Sequence, residues 1–182
     1  MNNYIFKTER LGIRNWEEKD IPVFVEMGKD QEVMKFFPAL LTESQSLNLI
    51  KRMQNSYEEK KYGYLPVEIL ETQEFIGMIG IADQNYLENP SQFIDIGWRL
   101  KKSAWGSGFA TEGAKGWLKY SFENLGLKNL YSVAPLLNLN SENVMKKLGF
   151  EKIREFKHPK IAAESPLQTC SLYLLEKQNF QI

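Results

Sequence analysis

Histidine and cysteine are almost missing from this chain: there is one of each, His158 and Cys170, in 182 residues. A disulfide within the chain, a cysteine-rich zinc site and a multi-histidine metal site are therefore excluded, and a reducing compartment suits such a chain best. Long apolar runs are also lacking. The longest strongly apolar stretch, residues 75–82, lies between Glu74 and Asp83 and is far too short to span a bilayer. The opening MNNYIFKTER has no apolar core of the kind a signal peptide needs. No repeat, low-complexity tract or Pro/Gly/Ser-rich linker interrupts the sequence. What is present is an ordinary globular composition, 43% hydrophobic and 25% charged, at a length that fits one compact domain over residues 1–182. The expectation is a soluble, cytoplasmic protein with no membrane partner.

Net charge is absent as well, yet its distribution is uneven. Residues 1–98 carry 10 basic and 16 acidic side chains, whereas residues 99–160 carry 12 and 5. A basic middle in a neutral chain points to an anion that meets the protein there, although scattered solvated lysines would give the same balance.

Periodicity divides the chain into short elements. Residues 11–14 read as a strand end, and Asp20 opens a helix that tolerates Pro22 in its first turn. Thr42, Glu43, Ser44 and Gln45 form a capping box before Leu47, Ile50, Met53 and Tyr57 at helical spacing. Residues 64–70 and 75–82 flank a polar turn as a hairpin, and residues 93–100 make a further strand. A helix follows with Ala110, Ala114, Trp117, Leu118 and Ser121 on one face, closed by Gly126. A β run at 130–134, a helix at 141–148 closed by Gly149, and strands at 150–156 and 167–175 complete the chain. The order β-α-α-β-β-β-α-β-α-β-β predicts an α/β fold, a mixed sheet with helices on its faces. The last strand is expected to be exposed, which would permit a homodimer.

The most informative segment joins the strand at 93–100 to the helix after it: Lys101, Lys102, Ser103, Ala104, Trp105, Gly106, Ser107, Gly108, Phe109, Ala110, Thr111, Glu112. Gly106 and Gly108 permit a sharp turn and leave the free N–H groups of the first helical turn uncovered, a ready site for phosphate. A bare G-x-G also simply marks turns. The dinucleotide fingerprint fails because its third glycine falls at Thr111, and no Gly-Lys-Ser/Thr follows to make an ATP loop.

This loop resembles the pyrophosphate-binding motif of the GNAT superfamily of acetyl-CoA-dependent N-acyltransferases, with Ser103 at a position usually held by Gln or Arg. Ile96, Gly97, Trp98, Arg99 and Leu100 followed by the loop are similar to the signature of its ribosomal-protein N-terminal acetyltransferase-like branch. Asn138 and Ser141 with Val144, Lys147, Leu148, Gly149 and Phe150 extend the resemblance, as do Thr8 to Leu11 and the run from Phe75 to Gly80. It covers residues 7–156.

The resemblance implies a mostly antiparallel twisted sheet with one parallel pair, strands 93–100 and 130–134, that splays apart to admit the pantetheine arm of acetyl-CoA. It assigns the cofactor-binding role to Trp98, Arg99 and Leu100 on the strand and to Trp105, Gly106, Ser107, Gly108, Phe109, Ala110 and Thr111 in the loop and first turn. Asn138, Ser141 and Lys147 complete that set. Gly97 reads either as a bulge or close backbone approach, or as a packing glycine under Trp98. The implied reaction is acetyl transfer to a primary amine, whether a protein N-terminus, a lysine or a small molecule.

That reaction needs a neutral amine, a donor for the carbonyl oxygen and an acid for the leaving thiolate. A backbone N–H near Trp98 is the candidate oxyanion donor. Many superfamily members place a tyrosine where this chain has Met145. Ser141 is then the candidate acid, with an N-cap as its alternative reading. Val133 stands where some relatives carry a glutamate. Asp95 and Glu68 are either bases acting through water or structural carboxylates. His158 is a surface-loop residue or an acceptor contact, Cys170 a core thiol, and the apolar run from Phe36 to Leu41 a packed segment or the wall of a substrate site. Two rivals remain: a non-catalytic CoA-binding module, and a peptide- or nucleic-acid-binding domain using the basic 99–160 segment. The aromatic residues fall at core spacing with no RNA-binding signature, so no nucleic-acid partner is expected.

Overall fold

The computed structural model describes residues 4–181. Its strands are β1 (Tyr4–Lys7), β2 (Leu11–Arg14), β3 (Tyr64–Ile69), β4 (Glu74–Gln84), β5 (Phe93–Leu100), β6 (Asn129–Pro135), β7 (Glu151–Lys157) and β8 (Thr169–Glu176). The α-helices are α1 (Asp20–Lys29), α2 (Glu43–Lys60), α3 (Phe109–Glu123) and α4 (Leu139–Lys147). The strands form one sheet in the order β1-β2-β3-β4-β5-β6-β8-β7. Every adjacent pair is antiparallel except β5 with β6, the parallel pair expected from the sequence.

Local signals explain most element ends. Thr42 and Gln45 form the reciprocal capping box at the start of α2, and Gly126 and Gly149 take the positive φ that ends the helices before them. Behind the cap Ile50 and Met53 are buried, while Leu47 is exposed. In α3 Ala114, Trp117, Leu118 and Ser121 are buried, and at Gly113 an added Cβ would lie 2.4 Å from the Ile79 side chain. The missing side chain lets α3 lie close over β4.

Strand pairing sets which side each residue serves. Ile79 pairs with Trp98 and Met78 with Arg99, and successive strand residues face opposite sides. Ile79 lies under α3, so Arg99 projects to the other face, where its guanidinium sits over Phe24 of α1, 5.8 Å from the ring centroid. Helices therefore cover both faces.

Three details differ from expectation. β1 is an additional strand, hairpinned onto β2; four residues are too few to show an alternation. Gly97 is not in a bulge: β4 and β5 pair through it without a shift, and the Tyr64 ring packs over it; a bulge lies between β3 and β4, where the register steps from Val67↔Gly77 to Glu68↔Phe75. The last strand is interior. β8 is mostly buried between β6 and β7, and the edge is β7, with Glu151, Lys152, Arg154 and Glu155 exposed. Charged side chains of both signs along an edge work against strand-to-strand pairing.

Candidate active site

The parallel pair opens after a short contact. β5 and β6 are in register only at Asp95 and Tyr131, and the Ser132 hydroxyl donates to the Ile96 carbonyl at 3.0 Å. Beyond that point β5 remains bonded to β4 as far as Leu100, while β6 continues on β8 as far as Pro135. Gly97 to Leu100 thus border a gap facing β6. The Trp105 indole donates to the Leu100 carbonyl at 2.8 Å, which ties the following loop to the strand end.

Two helix N-termini stand at this same end of the pair, because α3 follows β5 and α4 follows β6. Gly106 and Gly108 have φ of 76° and 80°, a conformation only glycine adopts without strain. Gly108 is the N-cap of α3 and supplies no side chain to cap it. Among the described residues the N–H groups of Phe109, Ala110 and Thr111 have no acceptor. An added Cβ at Gly106 would meet nothing within 4 Å. Uncapped donors at the positive end of a 15-residue helix fit a pyrophosphate.

A cation that the sequence did not single out sits on this loop. Arg10 donates to the Ser107 carbonyl at 3.1 Å, pairs with Glu112 at 2.6 Å and lies 4.6 Å over the Phe109 ring. Glu112 also accepts from the Thr8 hydroxyl and the Arg10 N–H. Burial alone would raise its pKa, but these hydrogen bonds outweigh that and lower it. The carboxylate at the end of the loop motif therefore positions Arg10. By contrast Lys101 pairs with Glu74.

At the second N-terminus the cap is Asn138, whose side-chain oxygen accepts from the Ser141 N–H at 3.1 Å. Ser141 is thus in the first turn of α4 and is not its N-cap. It is half-buried, and among the described residues its hydroxyl has no hydrogen-bond partner. Met145 is fully buried in the core, and Lys147 is exposed.

The opposite face of β5 carries a polar track. Asp95 is 8% exposed; the Tyr64 hydroxyl donates to it at 2.9 Å and the Gln84 amide at 3.2 Å. Burial pushes its pKa up to about 6, against those hydrogen bonds. The Tyr64 hydroxyl lies directly over Gly97, 3.2 Å from where a Cβ would stand. Next along the face, Arg99 is also 8% exposed, and among the described residues its Nε and Nη1 have no partner. Phe37, from the apolar run between α1 and α2, stacks on it at 4.1 Å.

Other candidates lie elsewhere. Glu68 is fully buried and paired with Arg14 at 2.8 Å, which makes it structural. Cys170 is buried, and burial raises its thiol to about 11. His158 packs on Tyr86 and Phe156, where burial and then Lys160 lower its pKa.

Known proteins agree with this geometry. Residues 10–151 match the acetyltransferase (GNAT) domain family. An uncharacterized N-acetyltransferase, p20 of Bacillus licheniformis, is 28% identical across 80% of this chain and 81% of its own. A GNAT-family acetyltransferase structure from Bacillus anthracis superposes with a TM-score of 0.78 at 26% identity, over 94% of this chain and 98% of that one. Mycobacterium smegmatis RimJ, solved with CoA-disulfide, shares the fold with a TM-score of 0.75 at 14% identity, over 92% and 82% of the two chains. A parallel pair that splays beside an uncapped Gly-x-Gly helix start, within a domain matched from Arg10 to Glu151, has one reading: the chain belongs to the GNAT acetyltransferase family, whose chemistry is transfer of acetyl from acetyl-CoA to an amine.

Proposed function

We propose that the chain is an N-acetyltransferase in which a primary amine attacks acetyl-CoA directly within a ternary complex. The observation that carries this is the juxtaposition of the β5/β6 gap with the uncapped start of α3. Acetyl-CoA supplies the activated acyl group. The N–H groups of Ser107 to Thr111, with the Arg10 guanidinium, hold its pyrophosphate. The free strand edge from Gly97 to Leu100 takes the pantetheine amides, and a backbone N–H beside Trp98 receives the carbonyl oxygen as it gains charge. Asn138, at the start of α4, completes the rim on the β6 side, with exposed Lys147 at the other end of that helix as a further contact for CoA, and Trp105 fixes the loop that lies across the β5 end.

In the transfer the amine nitrogen bonds to the carbonyl carbon, the C–S bond breaks, and two proton movements balance the exchange. Ser141, with an unengaged hydroxyl at the start of α4, gives a proton to the departing thiolate as it takes one from solvent water. The Tyr64 oxygen accepts the amine proton while its own hydroxyl proton passes to Asp95. A carboxylate with a pKa of about 6 is ionised at neutral pH and basic enough for that task. The buried, unpaired Cys170 suits a reducing, cytoplasmic setting.

Titration calorimetry with acetyl-CoA, with ATP and a DNA duplex as controls, tests donor binding; thiol release across a panel of amines tests transfer. Selective CoA binding with amine-dependent thiol release is expected. CoA binding without turnover on any amine would leave a non-catalytic module.

A further inference from the structure

An arginine that is nine-tenths buried ordinarily has a carboxylate, or several carbonyl oxygens, around it, because an uncompensated buried charge is strongly unfavourable. Arg99 has neither. Among the described residues its buried Nε and Nη1 have no hydrogen-bond partner. Its surroundings are the Phe37 ring at 4.1 Å, the Phe24 ring at 5.8 Å and Met78 alongside it in β4. The neighbouring titratable group that acts on it is the phenol of Tyr64, and burial lowers the guanidinium to about 10. The aromatic faces contribute a cation–π attraction, but they leave the in-plane donors of the guanidinium unused.

Position gives this unused cation its meaning. Arg99, Gly97 and Asp95 share one face of β5. The Tyr64 hydroxyl, hydrogen-bonded to Asp95, stands over Gly97 between the two charges. At about 3.3 Å per residue the Asp95 and Arg99 backbones are roughly 13 Å apart. An acceptor whose amine lies at the Tyr64–Asp95 end thus extends toward a planar donor on the same wall.

We infer that Arg99 anchors a carboxylate of the acceptor, so that the favoured substrates are small amines bearing a carboxylate several bonds from the reacting nitrogen. This rests on the acetyl-transfer reading above and names the substrate class for that site. A guanidinium binds a carboxylate through paired hydrogen bonds, with a specificity that an ammonium lacks. The Phe37 ring, 4.1 Å from the guanidinium carbon, would steady the group while the carboxylate docks on its free donors. The arginine is then a specificity residue, and its lack of a partner within the chain is what leaves it available.

A matched pair of acceptors, γ-aminobutyrate and its neutral carboxamide, tests this with wild type, Arg99→Gln and Arg99→Lys. Wild type should favour the carboxylate by about tenfold or more in kcat/KM, the scale of one charge-assisted contact. Arg99→Gln should bring that ratio near unity, and Arg99→Lys should recover part of it. Comparing ratios between variants cancels the difference in amine basicity of the two acceptors. Equal use of both acceptors by wild type, or a preference that survives Arg99→Gln, overturns the carboxylate anchor and leaves acetyl transfer standing. Release of no thiol with any amine would instead remove the acetyl-transfer reading, and the anchor with it.

Discussion

The molecule buries two arginines on different strands of one sheet, both beside α1, and it treats them in opposite ways. Arg14, at the β2/β3 side, is 1% exposed and bonds Asp20 through both terminal nitrogens, Glu68 through Nε at 2.8 Å and the Asn15 carbonyl at 3.1 Å. Glu68 in turn accepts from the Tyr4 hydroxyl. Arg99, on the β5 side, is 8% exposed and has two orphan nitrogens. Among the described residues, Arg14 and its carboxylates are satisfied within the first half of the sheet; the second half opens at β5/β6 and leaves donors unused at Arg99 and at the start of α3. A buried polar group that the fold satisfies holds it together, whereas one left unmet beside an opening in the sheet is available to a ligand.

The comparison breaks most visibly if both arginines are replaced by methionine. Arg14→Met leaves Asp20 and Glu68 buried without their cation and should destabilise the fold by about 3–5 kcal/mol. Arg99→Met removes a charge that has no partner, strands no carboxylate and should change stability by about 1 kcal/mol or less, in either direction. Urea unfolding of both variants reads the difference directly. Equal losses would mean that Arg99 is as structural as Arg14.

The next effect concerns the unmet donors of α3. Gly108→Glu sets a carboxylate where the phosphates are proposed to lie and should weaken acetyl-CoA binding by about a hundredfold or more, a change of roughly 3 kcal/mol. Gly108→Ala carries the same backbone strain at φ 80° without the charge, and its added atom meets Arg10 only at 3.5 Å. It should bind far better than the glutamate variant. Two equally weak binders would transfer the effect from charge to loop shape.

The open half was the more legible of the two in the sequence, because its function requires local signals. Glycines at 106 and 108 must precede a helix, and the Asn138 cap must follow β6, so both stand as contiguous motifs. The partners that complete the site come from far along the chain. Arg10 reaches Ser107 across a separation of 97 residues, and Tyr64 reaches Asp95 across 31; nothing local marks either pair. The same reason hid the edge of the sheet. Chain order suggested that the last strand is outermost, but β8 inserts between β6 and β7, a choice made by packing of its buried Cys170, Leu172 and Tyr173. Ser141 was read as opening its helix because serine favours caps, yet Asn138 takes that place and frees the serine hydroxyl.

Paired and unpaired carboxylates should also titrate with opposite sign. Glu68 and Glu112 have lowered pKa values, since their hydrogen bonds outweigh burial; their contribution is present above the ordinary carboxylate range and fades as pH falls below it. Asp95 is raised to about 6 by burial, so the folded state binds its proton more tightly than the unfolded chain does. Its carboxyl therefore favours folding below pH 4 and loses that advantage as pH rises from about 4 to about 6, a change of about 2–3 kcal/mol. Asp95→Asn keeps an acceptor for Tyr64 and Gln84. Its stability relative to wild type should rise by that amount between pH 4 and pH 8, while the acidic limb of its kcat profile near pH 6 disappears. A pH-independent stability difference would show that Asp95 is not held in a strained ionised state.

The smallest expected effect separates binding from chemistry within the open half. If Ser141 protonates the departing thiolate, Ser141→Ala should lower kcat by about tenfold or somewhat more, toward the low end for general acids because water can reach a half-buried position. Acetyl-CoA affinity should change little, since the hydroxyl engages nothing that shapes the loop, and helix α4 should keep its Asn138 cap. A thioester with a more acidic thiol separates an acid from a packing residue: its thiolate leaves without help, so the deficit of the alanine variant should shrink with that donor. A deficit that stays constant across donors would assign the serine to positioning, and the leaving thiolate would then take its proton from water.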